Sequence, residues 1–248
     1  MVNGTIEVGK FDEAVRTAYL LSDDCKLYFD PNRIYIPTID GSNSAFTKIR
    51  LDKSAFATYG DEKLTIGASL EKIKNILTNS PSDSTLYIDF DRTDGRLDFE
   101  VNGQQFMISQ VDLDSIKSDI PDPDVDYSAE VTIAEEDLSR SIKGADIMNA
   151  DRMTFIYNSD SGIFRMEARG DSDITMQEMN SDELIDVEGT SAEVVFSHTF
   201  LEILRKSLPK AVEITILLEN DRPGLFKFDV VNGAGTVEFM IAPIIDPN

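Results

Sequence analysis

Lysine and arginine side chains recur at an equivalent place on the predicted helices of this chain. Arg16, Lys143 and Arg205 each follow the first apolar residue of a helical stripe by five residues, which puts them about 140° around the helix from its buried face. Cationic groups placed there attract phosphate oxygens, although ordinary solvated helix faces would show the same pattern. The cationic candidates on or beside the four predicted helices are Lys10, Arg16, Lys72, Lys74, Arg140, Lys143, Arg205, Lys206 and Lys210.

Groups that could catalyse a reaction are sparse by comparison. His198 is the single histidine, and because no serine–histidine–aspartate set can be assembled around it, a capping or packing role is the better interpretation. Aspartates at 122–124 and 171–173 could hold a cation, but in so acidic a chain they indicate solvated surface. No P-loop motif is present. We therefore expect no enzyme activity, no cofactor and no bound metal. The remaining enzyme alternative is an acid-dependent or metal-dependent hydrolase.

Charge is the strongest global feature of the sequence. The chain carries 46 acidic and 23 basic residues, a formal net charge of −23. Such acidity indicates either a protein that avoids nucleic acid or one adapted to a salt-rich cytoplasm, where a screening length of about 3 Å at molar salt lets a local basic site act. The acidic residues are spread evenly, which favours salt adaptation. A single cysteine, Cys25, and no signal peptide or membrane-spanning stretch predict a cytoplasmic protein.

The sequence repeats itself once. The segment at 64–67 with its following helix pattern resembles that at 194–197, and the triplet Val-Asn-Gly at 101–103 returns 130 residues later at 231–233. Each half reads as strand, helix, several strands, helix and several strands. Strands grouped behind isolated helices predict an α+β fold of two duplicated domains, each with antiparallel sheets and two helices. We place the domains at 1–111 and 128–248.

An acidic connector at 112–127 separates the two halves. It contains six aspartates and two prolines, so it should be extended and lie on the surface. Its apolar residues, Leu113, Ile116, Ile120 and Val125, are too many for a purely flexible spacer. We expect the connector to pack against one of the domains.

Several motifs in this order resemble those of a known family. They are Leu-Asp-Lys-Ser-Ala-Phe-Ala-Thr-Tyr at 51–59, Ile-Asp-Gly-Ser-Asn at 39–43, Ile-Pro at 120–121, Gly-Ala-Asp at 144–146, and Phe-Met-Ile-Ala-Pro-Ile-Ile at 239–245. With them the whole chain resembles the DNA sliding clamps of archaea and eukaryotes, the proliferating cell nuclear antigen (PCNA) family, and its acidity resembles the haloarchaeal branch or a virus of such a host.

The resemblance implies a closed homotrimeric ring of six domains, with the helices and their cations facing double-stranded DNA. Because its closed shape would keep it on the DNA, the ring would slide without recognising the base sequence. It would tether a replicative DNA polymerase, a clamp loader, a flap endonuclease and a ligase through short peptide motifs. The alternative is a non-catalytic scaffold of the same fold that binds proteins but does not encircle DNA.

The resemblance also implies two protein-binding surfaces. A partner-peptide groove beneath the connector would be lined by Ile39, Asn43, Phe46, Ile116, Ile120, Pro121, Pro223, Met240, Ala242, Pro243 and Ile244. Asn43, Met240 and Ile244 depart from the residue types usual in the family, which alters the expected sequence preference of the groove. The subunit contact would pair the strand at 106–111 with the strand at 173–179 of the next chain, through Phe106, Ile108, Gln110, Ile174, Met176 and Glu178.

Overall fold

The computed structural model describes residues 3–91, 93–117, 120 and 124–245. The chain divides into two compact units, the first formed by Met1–Ile120 with Asp229–Val237 and the second by Pro121–Phe228 with Glu238–Asn248. The first unit therefore includes a short segment from the second half of the sequence, which the division into 1–111 and 128–248 does not anticipate.

The first unit contains two helices and two sets of antiparallel strands. Its elements are β1 (Asn3–Glu7), α1 (Val8–Tyr19), β2 (Asp24–Asp30), β3 (Arg33–Ile39), β4 (Ala45–Asp52), β5 (Thr58–Tyr59), β6 (Leu64–Ser69), α2 (Leu70–Thr78), β7 (Thr85–Asp91), β8 (Arg96–Val101) and β9 (Gln104–Ser109). Five strands follow the order β5-β1-β7-β8-β9, and four others the order β6-β2-β3-β4. Strands β9 and β6 each end a sheet.

The second unit repeats this plan. Its elements are β10 (Ala129–Ala134), α3 (Glu135–Ile147), β11 (Arg152–Asn158), β12 (Ile163–Arg169), β13 (Ile174–Met179), β14 (Asp186–Gly189), β15 (Ala192–Ser197), α4 (His198–Ser207), β16 (Glu213–Leu218), most of β17 (Gly224–Val230) and the end of β18 (Gly235–Ile241). Four strands follow the order β13-β12-β11-β15, and another four the order β14-β10-β16-β17. The predicted α+β fold, with two helices and antiparallel sheets in each half, is confirmed.

The helices bury the stripes that their sequence spacing predicts. On α1 the buried residues include Phe11, Ala14, Val15 and Ala18, and on α3 they include Leu138, Ser141, Ile142 and Ala145. The Phe11 ring lies 6.4 Å from that of Phe99 on β8, so α1 packs on one face of the five-stranded sheet. Apolar residues at i, i+3, i+4 and i+7 form one continuous helical face, and its burial holds each helix on its sheet.

In both units, the segment that follows the last strand turns back and covers the edge of another strand. The backbone nitrogen of Val111 donates a hydrogen bond to the carbonyl oxygen of Gly67 on β6 at 2.9 Å. In the second unit, the nitrogen of Ile244 donates to the carbonyl oxygen of Val195 on β15 at 2.8 Å. Both contacts satisfy backbone groups that an edge strand would leave unpaired.

Candidate functional site

The cationic candidates on α1 and α2 differ in the contacts that their charged groups make within the chain. Lys10 Nζ lies 3.5 Å from Glu7 Oε2, and Lys74 Nζ stacks 4.5 Å above the ring of Tyr19. Arg16 is half-buried, and its Nε is buried without a hydrogen-bond partner within the described residues. Lys72 is exposed. The two helices pack against each other, so these four cations belong to one helix pair.

The second helix pair, α3 and α4, carries cations that are partly neutralised by acids on the same helix. Arg140 Nη1 lies 2.8 Å from Asp137 Oδ1. Arg205 donates two hydrogen bonds to Glu202, at 2.8 and 3.0 Å, and the carboxylate also lies 3.9 Å from Lys206 Nζ. The hydrogen bond from Arg205 is the main reason that the pKa of Glu202 lies below its usual value.

Three exposed cations lack such compensation. Lys72, Lys143 and Lys210 are exposed, and none has an ion-pair partner within the described residues. Lys210 lies beyond the end of α4 at Ser207, in the loop before β16, so it flanks the helix and does not belong to it. Exposed ion pairs contribute about 0–1 kcal/mol, and therefore the paired cations too can exchange their carboxylates for phosphate.

The first unit contains five of the predicted groove residues. Ile39 and Phe46 face each other across β3 and β4 and are buried. Asn43, in the loop between them, is exposed and adopts a φ of 62°, a left-handed conformation that asparagine tolerates better than most residues. Ile116 is buried and Ile120 is half-buried. Pro121 lies outside the described residues.

Asp40 organises the loop between β3 and β4. Its carboxylate accepts hydrogen bonds from the backbone nitrogens of Ser42, Ser44 and Ala45, at 2.7, 2.7 and 2.6 Å, and from the Ser42 hydroxyl. Burial would raise the pKa of Asp40, but these hydrogen bonds together outweigh burial and lower it. Sequence reasoning did not assign this role, although an aspartate followed by Gly-Ser-Asn-Ser is typical of side-chain-stabilised turns.

The second unit contains the remaining groove candidates. Pro223, Ala242, Pro243 and Ile244 are half-buried, whereas Met240 is buried on β18. Pro243 forms an isolated bridge with Phe196, and Ile244 is held to β15 by its backbone nitrogen. The C-terminal segment is therefore fixed to its own unit before any partner binds.

The predicted subunit-contact strands both lie at sheet edges. β9 ends the five-stranded sheet, and β13 ends the four-stranded one. Phe106 and Ile108 point to the α1 side of their sheet. Phe106 lies opposite Phe99 and is half-buried, and Ile108 lies opposite Leu97 and is buried. Gln110 is exposed just past the strand.

The outer face of β9 was missed by sequence reasoning. Met107 lies between the two inward residues and its side chain is 62% exposed. The alternation of strand side chains was the signal that could have found it.

On β13, Ile174 and Met176 are 55% and 53% exposed. Glu178 forms an ion pair with Arg165 of the neighbouring strand at 2.6 Å. Beside this strand a cleft of about 920 Å³ lies against α3, with Ile147, Met176 and Met179 among its lining residues. An open strand edge next to exposed apolar side chains is a surface suited to pairing with another strand.

None of the helices in the part of the chain that the structure describes is long and apolar enough to cross a membrane.

Comparison with known proteins gives two kinds of similarity. The chain is 30% identical over 246 residues to a DNA polymerase sliding clamp from Methanoregula boonei and 27% identical over 245 residues to one from Haloarcula marismortui, with 99% of both chains covered in each case. The structure superposes with a TM-score of 0.94 on A. fulgidus PCNA, solved with the C-terminal region of FEN-1, at 22% identity and full coverage of both chains. No protein-family model matches the chain.

Proposed function

The chain belongs to the family of DNA polymerase sliding clamps, and from this premise we propose that it encircles duplex DNA as a homotrimer and tethers replication enzymes to the template. The observation that carries the proposal is the pair of open strand edges, β9 in one unit and β13 in the other. An open edge in each unit supports a head-to-tail contact, and such contacts close into a ring when the rotation between copies permits it.

In the proposed ring, β9 of one subunit pairs with β13 of the next. Phe106 and Ile108 would supply apolar contact from the first strand, and Ile174 and Met176 from the second. The backbone hydrogen bonds between the two strands would remove both unpaired edges. Gln110 and Glu178 would lie at the polar border of this contact.

The four helices would provide the DNA-facing surface. Their cations lie outside the buried stripes, and four of them are paired with carboxylates: Lys10, Arg140, Arg205 and Lys206. Exchange of these carboxylates for phosphates would give a sequence-independent and salt-sensitive attraction. Weak contacts leave the duplex free to slide, since the ring retains it by closure and not by affinity.

The groove residues would bind a short segment of a partner enzyme. The relative solved with the C-terminal region of FEN-1 supports a flap endonuclease as one class of partner, and a polymerase, a clamp loader and a ligase are proposed by the same reasoning. Tethering a weakly bound enzyme to a ring on DNA raises its effective concentration at the template. Family membership agrees with the prediction that the chain is not itself an enzyme.

The acidic surface supports a salt-rich cytoplasm as the working environment. At low salt, repulsion between subunits that each carry a net charge of −23 would weaken the ring, because screening falls as salt is removed. Light scattering over a salt series tests the assembly. We expect three times the chain mass of 27.6 kDa in molar salt and smaller species at low salt, and a monomer at molar salt would refute the ring.

A further inference from the structure

Gly67 lies on the edge strand β6 and contacts Val111, the residue that precedes the connector. A Cβ atom at this position would overlap the carbonyl oxygen of Val111 and lie 3.0 Å from Cδ1 of Ile116. Gly67 has no left-handed φ. Glycine is therefore needed here because there is no room for a side chain, and not because of its backbone conformation. Glycine at this position leaves room for the backbone of Val111, whose nitrogen donates a 2.9 Å hydrogen bond to the carbonyl oxygen of Gly67.

The residues after Val111 form a compact anchor. Asp112 caps a single 3-10 turn, Leu113–Ser115, by accepting a hydrogen bond from the nitrogen of Asp114 at 3.0 Å. The Ser115 hydroxyl donates to the carbonyl oxygen of Asp112 at 2.7 Å. Ile116 then inserts next to Gly67 and is buried. We call residues 111–116 the connector anchor.

The corresponding position of the second unit is Val195. Gly67 and Val195 each stand two residues before the end of their strand, at Ser69 and Ser197, and a helix follows each strand directly. Each accepts a backbone hydrogen bond from the segment that covers its strand edge, Gly67 from Val111 and Val195 from Ile244. Valine is accommodated on β15, whereas on β6 the carbonyl oxygen of Val111 occupies the place that a Cβ atom would take. The need for glycine is therefore specific to the segment that begins at Val111.

We propose that Gly67 is a positioning residue for partner binding: it fixes the connector anchor on β6, and the anchor holds Ile116 in the place that a partner peptide requires. This inference rests on the proposed function, since it concerns the peptide groove of a clamp. Gly67 has no side chain to touch a peptide, and therefore any effect of replacing it on peptide affinity must act through the connector.

The test measures the dissociation constant of a fluorescently labelled FEN-1 C-terminal peptide in molar salt, with trimer mass, thermal stability and hydrogen exchange at the Val111 amide recorded in parallel. Gly67→Ala should weaken peptide binding about ten-fold, equivalent to about 1.4 kcal/mol, and speed exchange at Val111, while the trimer mass stays unchanged. Ser197→Ala, at the end of β15 in the second unit, is the control, and it should leave peptide affinity and exchange as in the parent chain.

Asp112→Ala provides a second route if Gly67→Ala does not fold. Loss of the cap should loosen the anchor and reduce peptide affinity about five-fold, the usual scale of a lost N-cap, without changing the trimer. Unchanged affinity in a folded Gly67→Ala variant, or in Asp112→Ala with accelerated exchange at Val111, would overturn the positioning role. A parent trimer that binds no peptide at all would instead refute the proposed groove, and the positioning role with it.

Discussion

Glu13 Oε1 accepts a hydrogen bond from the backbone nitrogen of Val231 at 3.0 Å. Val231 has a φ of 55°, which is a rare and strained conformation for a β-branched residue. The Glu13 carboxylate on α1 thus accepts the hydrogen bond of the Val231 N–H group in a strained turn. Glu13 is therefore a structural acid on the helix that also carries the cationic candidates Lys10 and Arg16.

Replacing Glu13 by glutamine should destabilise the first unit. The amide oxygen can still accept the hydrogen bond, but the charge that strengthens it is lost, so we expect a loss of about 1–2 kcal/mol in the free energy of unfolding. Chemical denaturation measures this change. Asp12→Asn, which removes the same charge from the neighbouring position of α1, is the control and should have a smaller effect. Equal stabilities of the two variants would contradict the role of Glu13.

Asp40 should make loop stability dependent on pH. Because the folded-state pKa of Asp40 is lowered, its contribution is fully present above the ordinary carboxyl pKa of about 4 and is lost as the pH falls through the lower folded value. Asp40→Asn should cost about 2 kcal/mol at pH 7, and the difference from the parent chain should shrink below about pH 4. Unfolding curves at a series of pH values, with the exposed Asp61→Asn as control, measure this. A difference that is constant with pH would argue against the assignment.

Glu202 should restrain the DNA contacts of α4. It holds Arg205 by two hydrogen bonds and lies near Lys206, so Glu202→Gln should release both cations toward phosphate. We expect DNA affinity to rise and the salt slope of binding to steepen by about one charge per subunit. Glu167→Gln, which breaks an ion pair with Arg169 on β12, removes the same charge away from the helices. If both variants shift DNA binding equally, the effect is one of net charge and not of position.

The cations on the helices should contribute jointly to DNA binding. Replacing Arg16, Lys143 and Arg205 together by alanine should weaken DNA binding and flatten its salt dependence, because three phosphate contacts per subunit are lost. The matched control replaces Lys53, Lys63 and Lys227 by alanine; all three are exposed and none lies on the four helices. Unchanged DNA binding in the helix variant would count against the DNA-facing assignment.

Sequence periodicity predicted the helices because each buries one regular stripe, as the burial of Phe11 and Leu138 confirms. Turn geometry was harder to predict from the sequence. The same Val-Asn-Gly triplet forms a two-residue hairpin turn at 101–103, where Val101 pairs with Gln104, but a 3-10 turn at Val231–Gly233. At the second turn Glu13 satisfies the backbone nitrogen of Val231, and because the two residues are distant in sequence, no local pattern could reveal this contact.

The site shows the same division between local and distant causes. Cations on the exposed side of each helix follow from the period of the helix, and the family resemblance predicted β9 and β13 as contact strands. The engagement of Arg205 by Glu202 could have been read from their spacing of three residues. By contrast, the need for glycine at residue 67 depends on a backbone that arrives from Val111, and only the folded chain brings the two together.

Retention on circular and linear DNA tests the central claim most directly. The clamp would be loaded onto a nicked plasmid by a clamp loader with ATP, isolated by gel filtration in high salt, and followed after a restriction enzyme cuts the plasmid once. A closed ring held by topology should stay on the circle and leave once the DNA has ends. Equal retention before and after cutting, or no retention on the circle by a protein that is trimeric, would contradict encirclement.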